Sequence, residues 1–392
     1  MLNFQEVSVN EFLLSYWQKK PLVIRRALPD FISPISADEL AGLALEDDIE
    51  SRLVFETPTV APHWQLKRGP FADQDFSNLP PTHWTLLVQG VDRFVPEVEA
   101  LLDHFNFLPA WRVDDVMISY AVEQGGVGPH YDNYDVFLYQ AQGRRKWLLT
   151  TQDCVPENYH SDVDLRIMKR FPVEQEIILE EGDMLYLPPH VGHHGTSLSE
   201  DCMTYSFGYR SYQSQELWDS FGEHMAMKQK APLLYRDPDW TVLSNTAEIP
   251  PAAWQQAKQT LQAIIDDEDL LKHWFAAFAT SLDQQAESLL PEQAEDEASL
   301  DEFCEELFAS TGVHRNALCR FAYLNEPELA LYINGCAWCV EQISPALVRL
   351  IANQRSVLLD ELLPFVTKDA RKAANLAFLY ELWGLQWISC DA

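Results

Sequence analysis

The sequence predicts an α+β protein built on a double-sheet barrel of the jelly-roll sort, followed by helices and a smaller mixed segment. Three observations carry this. Between Trp84 and Arg210, short apolar runs at 85–88, 116–120, 136–139, 147–149, 177–179, 184–187 and 204–207 alternate with turn residues. Many short strands at such spacing are the mark of a sandwich or barrel. From 211 to 285 the period changes to 3.6, with Leu217, Trp218, Phe221, His224 and Met225 on one face and Trp254, Ala257, Leu261, Ile264 and Ile265 on another. Beyond an acidic stretch, single strands and helices mix again.

In chain order, Phe12, Leu13, Tyr16 and Trp17 share a helical face, and Leu22-Val23-Ile24 reads as a strand. Ser36 caps a second helix whose first turn is acidic. Leu53-Val54-Phe55 is another strand, and this N-terminal part is read as packing around the barrel. Within the barrel region, 155–172 is a polar loop long enough to lie over a cavity mouth. Trp274, Phe275 and Phe278 extend the aromatic stripe of the helical region, which must bury against the barrel or a second copy of the chain. Residues 284–302, with Glu292, Glu295, Asp296 and Glu297, read as a linker or solvated helix. A strand over 328–333 leads into an Asn334-Gly335 hairpin turn. Ser344-Pro345 opens a helix, Thr367 caps another that ends at Gly384, and 385–388 is strand-like. The expected domains are 1–212, 213–285 and 286–392.

Composition narrows the function classes. Asp and Glu total 60 against 28 Lys and Arg, a net charge of −32. Such a surface repels nucleic acid and attracts basic partners, although solubility alone also explains it. Seven cysteines without a regular framework suit a reducing cytosol. Cys336 and Cys339 form the only close pair, and no second pair at zinc spacing follows. No signal-peptide pattern or long apolar run occurs, so the expectation is a soluble, cytoplasmic protein that does not enter a membrane.

The chemistry concentrates in Gly128-Pro129-His130-Tyr131-Asp132 and, downstream, in Pro188-Pro189-His190-Val191-Gly192-His193-His194. On a strand, His130 and Asp132 point to one side while Tyr131 points away. A further imidazole from His190, His193 or His194 would complete two histidines and one carboxylate on one side of a metal. That leaves the opposite positions open, the facial triad of non-haem Fe(II) oxygenases. A basic cluster, Arg144-Arg145-Lys146, follows the strand-like 136–140. A cation there can grip the far carboxylate of a dicarboxylate cosubstrate, and Arg does so in bidentate fashion.

This ordered set resembles the JmjC-type 2-oxoglutarate oxygenases. Residues 12–26, Asp114-Asp115-Val116-Met117-Ile118-Ser119-Tyr120, Gly125 to His130 and Tyr205 to Arg210 are similar to the bacterial ribosomal oxygenases. The resemblance is specific over roughly the first 210 residues and looser beyond. It implies a double-stranded β-helix barrel of the cupin/JmjC type, a helical dimerisation region and a winged-helix-like C-terminal domain. It assigns His193 as the third ligand, the fourth position after the Pro-Pro pair, and Arg145 as the cosubstrate cation. Ser119 is a further implied hydrogen-bond donor to 2-oxoglutarate. His190 departs from the subfamily, in which Gly is usual at that position. The implied cofactors are Fe(II) and 2-oxoglutarate, and the implied reaction is hydroxylation of an arginyl residue in large-subunit ribosomal protein sixteen, a basic partner. The chain is then expected to be a homodimer and not to bind DNA, since its C-terminal segment lacks a basic stripe.

For the substrate, Asp114, Asp115 and Asp135 are candidates to meet a guanidinium, and Tyr134 to line the pocket beside Asp132. Solvation of the surface is the commoner role for any one of them. Two rivals stand beside the oxygenase: a cupin-type isomerase or hydrolase using zinc or manganese, and a non-catalytic binding scaffold.

Overall fold

The computed structural model describes residues 1–57, 63–161, 163–227, 234–240, 245–291 and 299–391. The chain divides into two compact units, Met1–Ser211 and Tyr212–Ala392.

The first unit holds eleven described strands: β1 (Leu22–Ile24), β2 (Ser51–Glu56), β3 (Trp64–Arg68), β4 (Trp84–Val88), β5 (Val113–Ala121), β6 (Asp135–Gln142), β7 (Arg145–Thr150), β8 (Gln175–Leu179), β9 (Met184–Leu187), β10 (Gly192–Ser197) and β11 (Cys202–Tyr209). They form a large sheet in the order β1-β9-β6-β11-β5-β4-β2-β3 and a small one in the order β10-β7-β8. Every pairing is antiparallel. This is the double-sheet barrel that the strand density predicts.

Alternation along each strand sorts the large sheet into two faces. One carries Phe137, Tyr186, Phe207 and Tyr209, packed with Phe12, Leu40 and Phe105 of the N-terminal helices. Full burial of each such ring stabilises the fold by roughly 1.5–3 kcal/mol. The helix over Ala37–Leu43 begins with a complete capping box, Ser36 with Glu39. The other face looks toward the small sheet. One half of that interior is apolar, built from Val136, Leu138, Leu185 and Leu187 against Leu149, Ile177 and Leu179. The other half is polar and just as buried: Thr85, Ser119, Gln140, Arg145, Ser197 and Thr204.

In the second unit, helices span Ser214–Met227, Pro251–Ile265 and Glu268–Thr280. Phe221, Leu270 and Trp274 make a small buried cluster among them. The helix over Pro251–Ile265 buries none of its residues; Trp254 is 54% and Leu261 51% exposed. Further on, helices over Leu300–Ala309, Pro345–Asn353 and Lys372–Gly384 enclose a core with two three-stranded sheets. The hairpin turn at Asn334-Gly335 forms as expected, both residues having positive φ. Thr367 does not cap the last helix; its hydroxyl donates to the Leu363 carbonyl one turn back. The acidic residues 292–298 lie outside the described residues.

Candidate active site

His130 and Asp132 do not lie on a regular strand, a correction to the sequence expectation. The segment is extended but irregular, tied to β10 by one antiparallel bridge between His130 and His193. The His130 amide donates to the His193 carbonyl at 3.0 Å, and the His193 amide to that of His130 at 2.7 Å. Extended backbone alone preserves the alternation. Tyr131 turns away and stacks between His190 and Tyr159, at ring-centroid separations of 5.6 and 5.2 Å. Gly128, with φ +81°, starts the segment, and a Cβ there would meet Ile167 Cδ1 at 2.4 Å. Only glycine fits that turn under the 155–172 loop.

One ligand atom each from His130, Asp132 and His193 lies within 4.8 Å of the others. His193 Nε2 is 3.6 Å from Asp132 Oδ2. Each imidazole places Nδ1 on a backbone carbonyl, His130 on Gly128 at 2.9 Å and His193 on Val191 at 3.0 Å. Donation from Nδ1 leaves both Nε2 lone pairs facing inward. Burial, and then the neighbouring His130, push the His193 pKa down to about 4. It therefore offers a neutral ring, as metal ligation requires. His194 faces the other way, its ring against Trp64 and Phe171.

Register carries the site inward. On β10 and β7, His193 stands opposite Leu149, Gly195 opposite Trp147 and Ser197 opposite Arg145, so all six share the interior face. A Cβ on Gly195 would run into the Trp147 ring at 2.6 Å, so glycine permits this close approach. The Trp147 ring lies 5.8 Å from that of His193, and the Arg145 guanidinium lies 5.7 Å from the same indole. Arg145 is 3% exposed, yet its Nε and Nη2 have no hydrogen-bond partner. Thr85 Oγ1 and Trp147 Nε1 are likewise buried and unpartnered. A buried guanidinium without an acceptor costs several kcal/mol, roughly, unless an anion is brought to it. Ser119 faces the same interior, opposite Thr204 and Leu87.

A cavity of about 630 Å³ opens over His130 and Asp132. His130, Asp132, Tyr134, Gln89 and Met117 line it, with Tyr159 from the 155–172 loop. Tyr134 thus stands where the sequence placed it. Asp115 acts one layer behind: it accepts from Gln89 Nε2 at 2.7 Å and from the Gly90 amide at 3.0 Å. Burial, and then Asp114, raise the Asp115 carboxyl to about 6. Asp92 beside it is raised to about 7 by burial and then by Asp115.

Two substrate candidates are corrected. Asp135 is fully buried on the opposite side of β6, where Tyr186, Gln18, Arg112 and Ser211 bind its carboxylate. Asp114 has the strand parity opposite to Met117 and pairs with Arg210 at 2.8 Å. Neither lines the cavity.

Sequence reasoning missed Gln89, Gln140, Trp147, Cys202 and Thr204. One signal was available for the last two. Along β11, Cys202, Thr204 and Ser206 alternate with Met203, Tyr205 and Phe207, yet all six are buried. Polar side chains of a single parity on a buried strand mark an interior cavity.

Comparison with known proteins sets this geometry in a family. A JmjC domain model matches residues 100–217, and a ROXA-like winged helix model matches 263–387. The chain is 36% identical over 282 residues to the ribosomal protein uL16 3-hydroxylase of Escherichia coli, covering 72% of this chain and 74% of that one. It is 30% identical over 352 residues to a probable ribosomal oxygenase of Haemophilus influenzae, covering 84% and 82%. The solved structure of the Escherichia coli ribosomal oxygenase YcfD in complex with cobalt and 2-oxoglutarate matches with a TM-score of 0.83 at 30% identity over the full length of both chains.

Proposed function

The chain belongs to the JmjC-type bacterial ribosomal oxygenases, and on that premise we propose that it hydroxylates an arginyl side chain of ribosomal protein uL16. It is a 2-oxoglutarate- and Fe(II)-dependent protein hydroxylase. His130, Asp132 and His193 would hold the iron, and Arg145 the far carboxylate of 2-oxoglutarate. The observation that carries this assignment is the buried Arg145 fork, without an acceptor, on the same interior wall as His193. The donor set fits as well: two imidazoles and one carboxylate suit iron. An isomerase or hydrolase of the cupin type, or a binding scaffold, has no use for such a cation.

When bound, iron and 2-oxoglutarate would supply the oxidative chemistry with dioxygen as the oxidant, one oxygen atom going to the succinate formed with CO2 from the cosubstrate and the other to the hydroxyl on the substrate carbon. The chain's own residues bind, orient and exclude water. Val191 and Gly128 carbonyls fix the two rings. Arg145 sets how deeply the cosubstrate enters, with Ser119 as a further donor. The 155–172 loop, held by the Tyr159–Tyr131–His190 stack, walls the cavity off from solvent on one side.

An arginyl substrate suits the inner wall of that cavity. Tyr134 offers a ring face for a guanidinium. Gln89 offers Oε1, which in this structure accepts from Arg52 at 3.0 Å while Asp115 holds its amide nitrogen. The net charge of −32 favours encounter with a basic ribosomal protein. Such a substrate implies work in the cytoplasm, and among the described residues no helix is long and apolar enough to cross a membrane. We further assign the exposed stripe of Trp254 and Leu261 to a homodimer contact, and the winged-helix region to structure or protein contact, not DNA binding.

The test is mass spectrometry of uL16 incubated with the protein, Fe(II) and 2-oxoglutarate. The expected result is one added oxygen on an arginine, dependent on cosubstrate and absent with His130→Ala. Succinate formation without a mass gain on uL16 would overturn the substrate; neither product would overturn the role of the site.

A further inference from the structure

The inner wall of the cavity already holds a guanidinium. Arg52 of β2 lines the cavity, and its Nη2 donates to Gln89 Oε1 at 3.0 Å and reaches Met117 Sδ at 3.9 Å. A guanidinium has donors only, so the amide atom that faces it is the oxygen. Gln89 Nε2 points the other way and donates to Asp115 at 2.7 Å. Gln89 is thereby oriented as an acceptor toward the cavity, backed by a carboxylate.

A second resting place for Arg52 lies outside. Its Nε is 3.8 Å from Glu50 Oε1, two residues back, and the Glu50 side chain is 52% exposed. Alternation puts both side chains on one face. The Gln89 amide donates to the Glu50 carbonyl at 2.9 Å, which makes the two acceptor residues neighbours across β2 and β4. Arg52 also stands directly opposite Arg68 of β3, which lines the same cavity. Like charges in register destabilise a sheet. Here they are drawn apart, Arg68 to Asp164 at 3.2 Å and Arg52 to Gln89.

We propose that Arg52 is a specificity-determining residue: it occupies the guanidinium subsite before substrate arrives, and yields Gln89 Oε1 to the target arginine by withdrawing to Glu50. This role rests on the reading of the substrate as an arginyl side chain. An amide oxygen on the cavity wall without a donor is costly, and Arg52 supplies the donor. The oxygen has a second lone pair, but two guanidinium groups on one oxygen repel each other at that range. Charge sets the same limit. Asp92 and Asp115 share that corner with Arg93, which leaves at most one net negative charge, enough for one guanidinium and not two. Glu50 supplies the counter-charge for Arg52 outside. Gln89 therefore meets a planar guanidinium in either state, and the subsite is formed for one in advance.

The experiment measures binding of uL16 to the full-length protein loaded with Mn(II) and 2-oxoglutarate, by calorimetry. Arg52→Met, which keeps the stem and removes the charge, should lower the uL16 Kd about threefold to tenfold, the size of one hydrogen bond. Damage to the fold would weaken binding, so a merely structural role cannot produce this tightening. Glu50→Gln removes the outer resting place and should raise the Kd about twofold. That increase should vanish in the Arg52→Met background. An unchanged or raised Kd in Arg52→Met overturns the proposal, as does a Glu50→Gln effect that is absent from the wild-type background or present in the double variant. Should Arg52→Met fail to fold, Glu50→Gln, at an exposed side chain, decides alone: a raised Kd supports the withdrawal and an unchanged one overturns it. If uL16 gains no oxygen on an arginine with the iron-loaded wild type, the reading of the substrate has failed and the proposal falls with it. If uL16 does gain one while Arg52→Met does not tighten binding, only the role of Arg52 has failed.

Discussion

Two arginines, one on the outer face of the large sheet and one between the two sheets, behave differently. Arg112, on the face packed by the N-terminal helices, meets Asp135 at 3.2 Å, and Asp135 also accepts from Tyr186 at 2.6 Å, Gln18 at 3.1 Å and Ser211 at 3.2 Å. Arg145, on the interior face, has two nitrogens with no acceptor. Arg112 is the more exposed of the two, with 13% of its side chain accessible, yet its network is closed while that of the more deeply buried Arg145 is open. Closed networks of buried polar groups hold a fold in register; an open one is tolerated where a ligand completes it. The contrast also explains why Asp135, next in sequence to Tyr134, serves structure while its neighbour lines the cavity. One step along a strand changes the face.

Substitutions that open the closed network and neutralise the open one should separate the two roles most widely. Asp135→Ala leaves Arg112 buried without a counter-ion and should cost about 3–5 kcal/mol of stability, read as a lowered denaturant midpoint. Arg145→Met replaces an unpaired cation with an apolar chain of similar length. It should leave the stability of the cosubstrate-free protein equal or higher, while raising the 2-oxoglutarate Kd roughly a hundredfold or more. A large loss of stability in Arg145→Met would show that its network is closed after all.

A smaller effect should come from the carboxylates behind the cavity wall. Burial and then Asp114 hold the Asp115 carboxyl up at about 6. A substrate guanidinium prefers the ionised form, so substrate affinity should fall as pH drops through about 6, approaching tenfold per unit. Stability has the opposite sign. A folded-state pKa above the unfolded value of about 3.9 means that the native state binds more protons in that window. The stabilisation from this group is full below about 4 and is lost as pH rises through about 6. Asp115→Asn should bind substrate weakly at every pH and should remove that slope from the thermal midpoint. A peptide KM that is flat with pH in the wild type would detach Asp115 from recognition.

Much of this was legible in the sequence, for identifiable reasons. The apolar strands β6, β9 and β11 announce themselves because one or both faces meet a core. His130, Asp132 and His193 stood out by residue type and spacing. The strand that carries His193 did not: Gly192-His193-His194-Gly195-Thr196-Ser197 contains no aliphatic residue, since its inward side chains face a polar cavity. β3 was missed as well, its pattern being largely exposed. Arg145 was singled out by resemblance; that it lacks a partner is a fact of three dimensions. Asp135 shows the converse limit, because alternation states that a residue changes face but not which face holds the cavity.

The smallest effect expected on the site itself comes from the second unit. The helix over Pro251–Ile265 has an apolar stripe of which Ile264 and Ile265 pack against Phe221, Leu270 and Trp274, while Trp254 and Leu261 stay about half exposed. Its sequence periodicity matches that of a core helix, yet Trp254 and Leu261 stay uncovered among the described residues, and we assign the missing cover to a second copy of the chain. Covering the exposed half of both residues on each copy would contribute on the order of 1 kcal/mol per side chain. A charge placed in the stripe should therefore dissociate the dimer, and Leu261→Glu should sediment as a monomer where the wild type sediments as a dimer. The 2-oxoglutarate Kd of that monomer should stay within about twofold of the wild type, because Arg145 and its wall belong to the first unit. A wild-type protein that is monomeric at micromolar concentration would remove the dimer. A monomeric variant that loses cosubstrate binding would instead show that the open network depends on the partner copy.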